Sequence, residues 1–90
     1  MRTEEVEIYS DATNLAVMRH PGRRFPGALV QGDSLWTLCK TADRACDAHL
    51  SPEERQDALE ILRSALWARL NHYKTVLLDH DISLPFSDQG

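Results

Sequence analysis

Residues 51 to 79 read SPEERQDALEILRSALWARLNHYKTVLLD. Ser51 is suited to cap a helix, Pro52 to sit in its first turn, where a missing N–H is harmless, and Glu54 to close a capping box. From there Leu59, Leu62, Leu66, Leu70, Tyr73 and Leu77 fall within a narrow arc of one helical wheel, with Ala58, Ala65 and Val76 at its edge. The spacing predicts a helix over 52–79. At about 1.5 Å per residue it is roughly 40 Å long, whereas a strand of five or six residues spans about 17 to 20 Å. Part of the helix must therefore overhang any sheet it covers or meet another chain. Trp67 and Leu78 stand off the main stripe and are the candidate interface residues.

Upstream, Asp33 or Ser34 can accept hydrogen bonds from the free N–H groups of a helix start. Leu35, Leu38, Cys39, Ala42, Ala45, Cys46 and His49 then recur at helical spacing, which predicts a helix over 34–49 with large residues first on its buried stripe and small ones later. Asp43, Arg44 and Asp47 face water. Cys39 and Cys46 share a face but lie about 10 Å apart along the axis. A disulfide needs Cα atoms within roughly 7 Å, so both thiols are expected to be reduced and buried.

Ahead of that helix the period changes. Residues 4–9, EEVEIY, place Val6 and Ile8 on one side and Glu5, Glu7 and Tyr9 on the other, the alternation of a half-exposed strand. Turn formers follow at Ser10-Asp11-Ala12-Thr13-Asn14, then a second strand, LAVMR, at 15–19. Pro21-Gly22 and Pro26-Gly27 mark turns or a bulge, and ALVQ at 28–31 fits a third strand. The expected fold is α+β, a single domain over 1–90. It is a small antiparallel sheet of two or three strands (4–9, 15–19, 28–31) packed against two helices (34–49 and 52–79). The C-terminal Ile82-Ser83-Leu84-Pro85-Phe86 is expected to lie back on the body as a short extended segment before the terminus frays.

Ninety residues, 42% hydrophobic and 27% charged, suit one soluble core. A net charge of −4 argues against a protein that blankets nucleic acid, which needs a basic face to displace counterions. The N-terminus lacks the apolar core of a secretory signal and no stretch reaches the ~18 to 20 apolar residues of a membrane span. A cytoplasmic protein with no membrane contact is expected.

Against this acidic background Arg19, His20, Arg23 and Arg24 cluster with no carboxylate between them. Guanidinium forks on a glycine-rich turn can hold a phosphate, a carboxylate or an acidic partner surface. They can equally be solvated loop charges that balance Glu4, Glu5 and Glu7. No catalytic set emerges, because the histidines at 20, 49, 72 and 80 show no spacing that selects one as base for Ser34. Cys39, Cys46 and His49 lack the doubled close pairs of a zinc site, so neither a metal nor a cofactor is implied. Trp36 and Trp67 carry no basic-aromatic interleaving of the kind that binds single strands.

The run FPGALVQGDSLWTLCKTA, Phe25 to Ala42, resembles the strand-turn-helix signature of the HicB antitoxin family through Pro26, Gly27, Gln31, Gly32, Asp33, Ser34, Leu35, Leu38 and Ala42. LLDHDISLP, 77–85, looks like the end of the HicB core. The series NLAV, PGRRFPG and QGDSL is similar to a bacterial family of small proteins of unassigned function. Two features depart from HicB: the long helix over 51–79, and the lack of a DNA-binding segment beyond Leu84. Gly-Asp-Ser-Leu also occurs in a lipase family, but there within a much larger α/β protein. The resemblance implies a non-enzymatic, antitoxin-like or immunity-like protein that binds a protein partner, such as a basic toxin or nuclease. Contact would run through the sheet edge, the Arg23-Arg24 loop or the overhanging helix. The alternatives are an anion- or small-molecule-binding module on the Arg loop, and a structural homodimer built by the long helix.

Overall fold

Three short strands and two helices make up the computed structural model, which describes residues 1–12 and 14–88. In chain order they are β1 (Glu7–Ser10), β2 (Leu15–Arg19), β3 (Gly27–Val30), α1 (Gly32–Ala45) and α2 (Pro52–Asp79). The fold is α+β, with a three-stranded antiparallel sheet in the order β1-β2-β3. The chain forms two compact units, Met1–Val30 with Asn71–Gly90, and Gln31–Leu70.

In the first unit the pairing register fixes which side chains share a face. Glu7 lies opposite Arg19 and Ile8 opposite Met18, and a bulge between Ile8 and Ser10 leaves Tyr9 as the extra residue. Leu15 pairs with Val30, Ala16 with Leu29 and Val17 with Ala28. Leu15 and Val17 therefore point to one side, where they are buried, and Ile8, Ala16, Met18 and Leu29 to the other. The buried set is completed by Tyr73, Val76 and Leu77 from the last turns of α2.

Two side-chain contacts tie that helix end to the strands. The Tyr73 hydroxyl donates a buried hydrogen bond of 2.6 Å to the Pro26 carbonyl, and the Tyr9 ring meets the His80 ring edge-on at 5.2 Å. The strand expected over 4–9 is corrected to Glu7–Ser10, with residues 4–6 outside it, and its aliphatic residue faces out. Ile8 is 55% exposed, while Tyr9 and Ser10 are half-buried, because the bulge re-aims Tyr9 toward His80.

α2 ends in a backbone motif that leaves few carbonyls idle. Asp81 takes a left-handed conformation, φ 55°, its N–H bonds to Leu78 O, and the Ile82 N–H reaches back to Leu77 O at 2.9 Å. The tail then returns to the helix, where Lys74 Nζ lies 2.7 Å from Asp88 Oδ1. Gln89 and Gly90, where fraying was expected, lie outside the described residues, as does Thr13 of the β1–β2 turn.

The second unit holds α1 and residues 52–70 of α2. Ser51 caps α2 as its sequence predicts, accepting from the Glu54 N–H at 3.1 Å while its hydroxyl reaches the Glu54 carboxylate at 3.2 Å. The expected cap of α1 is corrected. Gln31, extended at φ −64° and ψ 151°, occupies the N-cap without a side-chain bond. Because β3 ends at Val30 and the chain turns at once, Asp33 and Ser34 already lie inside the first turn.

α1 also stops earlier than expected. Asp47 draws the following backbone onto itself, accepting from His49 N–H on its carboxylate and from Leu50 N–H on its carbonyl, so Cys46 and His49 leave the helix. Cys39 and Cys46 are free thiols, but both are exposed rather than buried. The covered arc of α1 runs through Ser34, Leu38, Thr41, Ala42 and Ala45, and that of α2 through Arg55, Ala58, Leu62, Ala65 and Arg69. These arcs take in Ala42, Ala45, Ala58 and Ala65 together with Leu38 and Leu62, and leave Leu35, Leu59 and Leu66 on the flank.

Two substitutions test this account. Tyr73→Phe strands the buried Pro26 carbonyl and lowers unfolding free energy in urea by about 1–2 kcal/mol. Asp81→Gly, by relieving the left-handed residue, raises it by roughly 0.5–1 kcal/mol.

Candidate functional site

The loop between β2 and β3 is a turn closed by the Arg23 N–H on the His20 carbonyl, 3.1 Å. Pro21 supplies the fixed φ of its first corner and Gly22, at φ +82°, the positive φ of its second. No atom lies within 4 Å of where a Gly22 Cβ would stand, so backbone conformation and not space calls for glycine there.

The four clustered basic residues do not converge. Arg19 pairs with Glu7 across the β1–β2 ladder, its Nε 3.0 Å from Oε1 and its Nη2 on the same oxygen. The Tyr9 hydroxyl donates to the other Glu7 oxygen at 2.8 Å. The His20 Nδ1 sits 2.9 Å from the carbonyl of Pro21. The Arg24 guanidinium lies over the Phe25 ring at 5.1 Å. Among the described residues, Arg23 has no side-chain ion pair or hydrogen bond.

Two shallow depressions flank this turn. One, about 360 Å³, is bordered by Glu5, Glu7, Arg19, His20 and Arg23, so carboxylates share it with the cations. The other, about 320 Å³, is floored by Met18, Phe25, Ala28 and Leu29, with His20 and Arg23 at its rim and no carboxylate in its wall. It opens onto the outward face of the sheet, where Ile8 and Leu29 are 55% and 53% exposed and Ala16 and Met18 are half-buried between them. This aliphatic face with one unpaired guanidinium at its end is the candidate site.

A family model described as a family of unknown function, DUF6959, matches residues 1–86. The chain belongs to the DUF6959 family. The match takes in all five elements and the arginine turn. Comparison with curated proteins and with solved structures finds no match.

The remaining residues singled out from this DUF6959 sequence are scattered. The Asp33 carboxylate accepts from the Ser34 N–H at 2.8 Å, a local helix-start contact. His80 lies against the Val76 carbonyl, 2.9 Å from Nδ1. Among the described residues no group of three or more His, Cys, Asp or Glu side chains is placed to hold a metal ion. Among the described residues no helix is long and apolar enough to cross a membrane. Trp67 and Leu78 are both at the surface, 51% and 65% exposed, Trp67 in the helical unit and Leu78 in the sheet unit. Sequence reasoning did not single out the outward sheet face, because alternation identifies two sides of a strand without saying which one a helix will cover.

The Glu7 contacts have a pH signature. Hydrogen bonds from Arg19 first and Tyr9 second hold the Glu7 carboxyl below the ordinary glutamate value. The contact is therefore in force above that ordinary value and is lost as pH falls through the folded one. In a carboxyl NMR titration the Glu7 midpoint lies below the ordinary glutamate value, and Arg19→Gln moves it up toward that value.

Proposed function

We propose that this chain is a non-catalytic bacterial protein-binding module, antitoxin-like or immunity-like, that takes a protein partner on the outward face of its sheet. The observation that carries this reading is the exposure of Ile8 on β1 and Leu29 on β3 on one side of the sheet, with Met18 and Ala16 of β2 between them, while Leu15 and Val17 on the other side of β2 are buried. Aliphatic side chains held in register on a rigid sheet are a ready docking surface, and polar anchors at the rim give such a surface direction. Arg23 supplies the anchor, for a carboxylate of the partner. The net charge of −4 favours a partner basic as a whole, such as a toxin or nuclease, since long-range attraction sets encounter rate while local pairs set register. The antitoxin-like part of the reading rests on the resemblance of residues 25–42 to the HicB core. Free thiols at Cys39 and Cys46 fit a reducing cytoplasm.

An anion site on Arg23 and Arg24 is the weaker reading. Arg19 is already engaged by Glu7, Arg24 lies over Phe25, and Glu5 and Glu7 border the more polar depression, so a small anion would meet carboxylates along with a single open guanidinium.

The paired substitution Ile8→Asp with Leu29→Asp separates binding from folding. Both positions are exposed, so the melting temperature is expected to stay within the small range of surface changes, about 0.5 kcal/mol each. A protein that co-purifies in fixed ratio with the wild-type chain is lost from the variant. Co-purification that persists unchanged overturns the reading, and saturable phosphate binding abolished by Arg23→Ala would replace it.

A further inference from the structure

The helical unit, Gln31–Leu70, does not contain a core of its own. α1 has no buried residue, and the described hydrophobic residue that is buried in this unit is Ala58, at 3% exposure. Leu35, Leu59 and Leu66 are instead 53%, 50% and 50% exposed. A segment of about 40 residues is at the size where a chain needs help from outside to stay folded.

Both helices carry the same unfinished pattern. Leu35, Leu38, Ala42 and Ala45 follow a 3-4-3 spacing along α1, and Leu59, Leu62, Leu66 and Arg69 follow it along α2. That is the seam of a helix bundle, with alternate positions packing toward different neighbours. Leu38, Ala42 and Ala45 of the first seam and Leu62 and Arg69 of the second are half-buried, while Leu35, Leu59 and Leu66 face solvent. Each seam has one flank covered and one open.

We propose that the open flanks are covered by a second copy of this chain, so that two helical units combine into a four-helix bundle. This goes beyond the sheet-face reading and uses a different surface. A local pair of opposite charges, and not the net charge of −4 that each copy carries, fits a copy of the chain. Asp43 borders the open flank of α1 and Arg63 that of α2, and among the described residues neither has an ion pair. A two-fold axis that lays α1 of one copy on α2 of the other sets Asp43 beside Arg63 twice, with opposite signs each time. The exposed parts of Leu35, Leu59 and Leu66, with Trp36 and Trp67 at the margins, offer on the order of 500 Å², more than half of the ~800 Å² each partner gives to a standard interface.

Sedimentation equilibrium of the full chain over a wide concentration range tests this. The expected species at high concentration has twice the 10.2 kDa chain mass. Leu59→Asp with Leu66→Asp returns it to the mass of one chain. Because that variant can lose fold along with dimer, charge reversal gives an independent reading. Asp43→Arg weakens dimerisation by about fivefold to tenfold, and adding Arg63→Asp restores it. Ile8→Asp with Leu29→Asp, on the sheet, leaves the dimer unchanged, so failure here and failure of the sheet-face reading are told apart. A chain that stays at 10.2 kDa throughout overturns the proposal. So does a dimer indifferent to both the leucine and the charge substitutions.

Discussion

Val17 on the central strand and Leu77 near the end of α2 are the two fully buried side chains of the chain's described residues, each at 0% exposure. Leu15, Tyr73 and Val76 complete this small apolar centre. Non-polar burial is the main favourable term in folding, so a centre of five residues leaves little surplus. The arrangement of the loop depends on it too. Tyr73 reaches from the same helical turns to the Pro26 carbonyl, fixing the point at which the arginine turn rejoins the sheet.

With one side of the sheet committed to the helix end, the other is free for use. The register puts Ile8 beside Met18 and Ala16 beside Leu29, so the aliphatic residues of all three strands meet on the outward side. The Glu7–Arg19 pair lies on the opposite side, in line with Val17 and Leu15. Of the four basic residues near the turn, Arg19 is thus absorbed by the scaffold and Arg23 is left as the group that can meet something else. Separating structural from available charge in this way needs the strand register.

Much of the architecture was legible. The helix at 52–79 was bounded to the residue, because its start signal is local: a serine, a proline and a glutamate at fixed offsets act before any tertiary contact forms. The strands at 15–19 and near 28–31 followed from turn chemistry at Pro21-Gly22 and Pro26-Gly27. The start and end of α1 were misread for the opposite reason. Asp33, Ser34 and Asp47 can each bond a neighbouring amide in several ways, and which way wins depends on where the preceding strand stops. Burial was the least legible quantity. A wheel ranks side chains by polarity, and in the helical unit the covered arc is rotated from that ranking, taking Arg55, Ala58 and Arg69 and leaving Leu59 and Leu66 outside.

The bulge at Tyr9 has a further effect. A three-stranded sheet ends in two unpaired strands, and such margins invite stray chains to anneal and grow into fibrils. β1 is four residues long and broken by the extra residue after Ile8, while β3, also four residues, opens directly after a proline that has no amide hydrogen to offer. The β1 margin is broken by the bulge, and the β3 margin offers a run of four residues that Pro26 closes at its start. Beside this much aliphatic surface, both margins are thereby kept short as templates for a fourth strand.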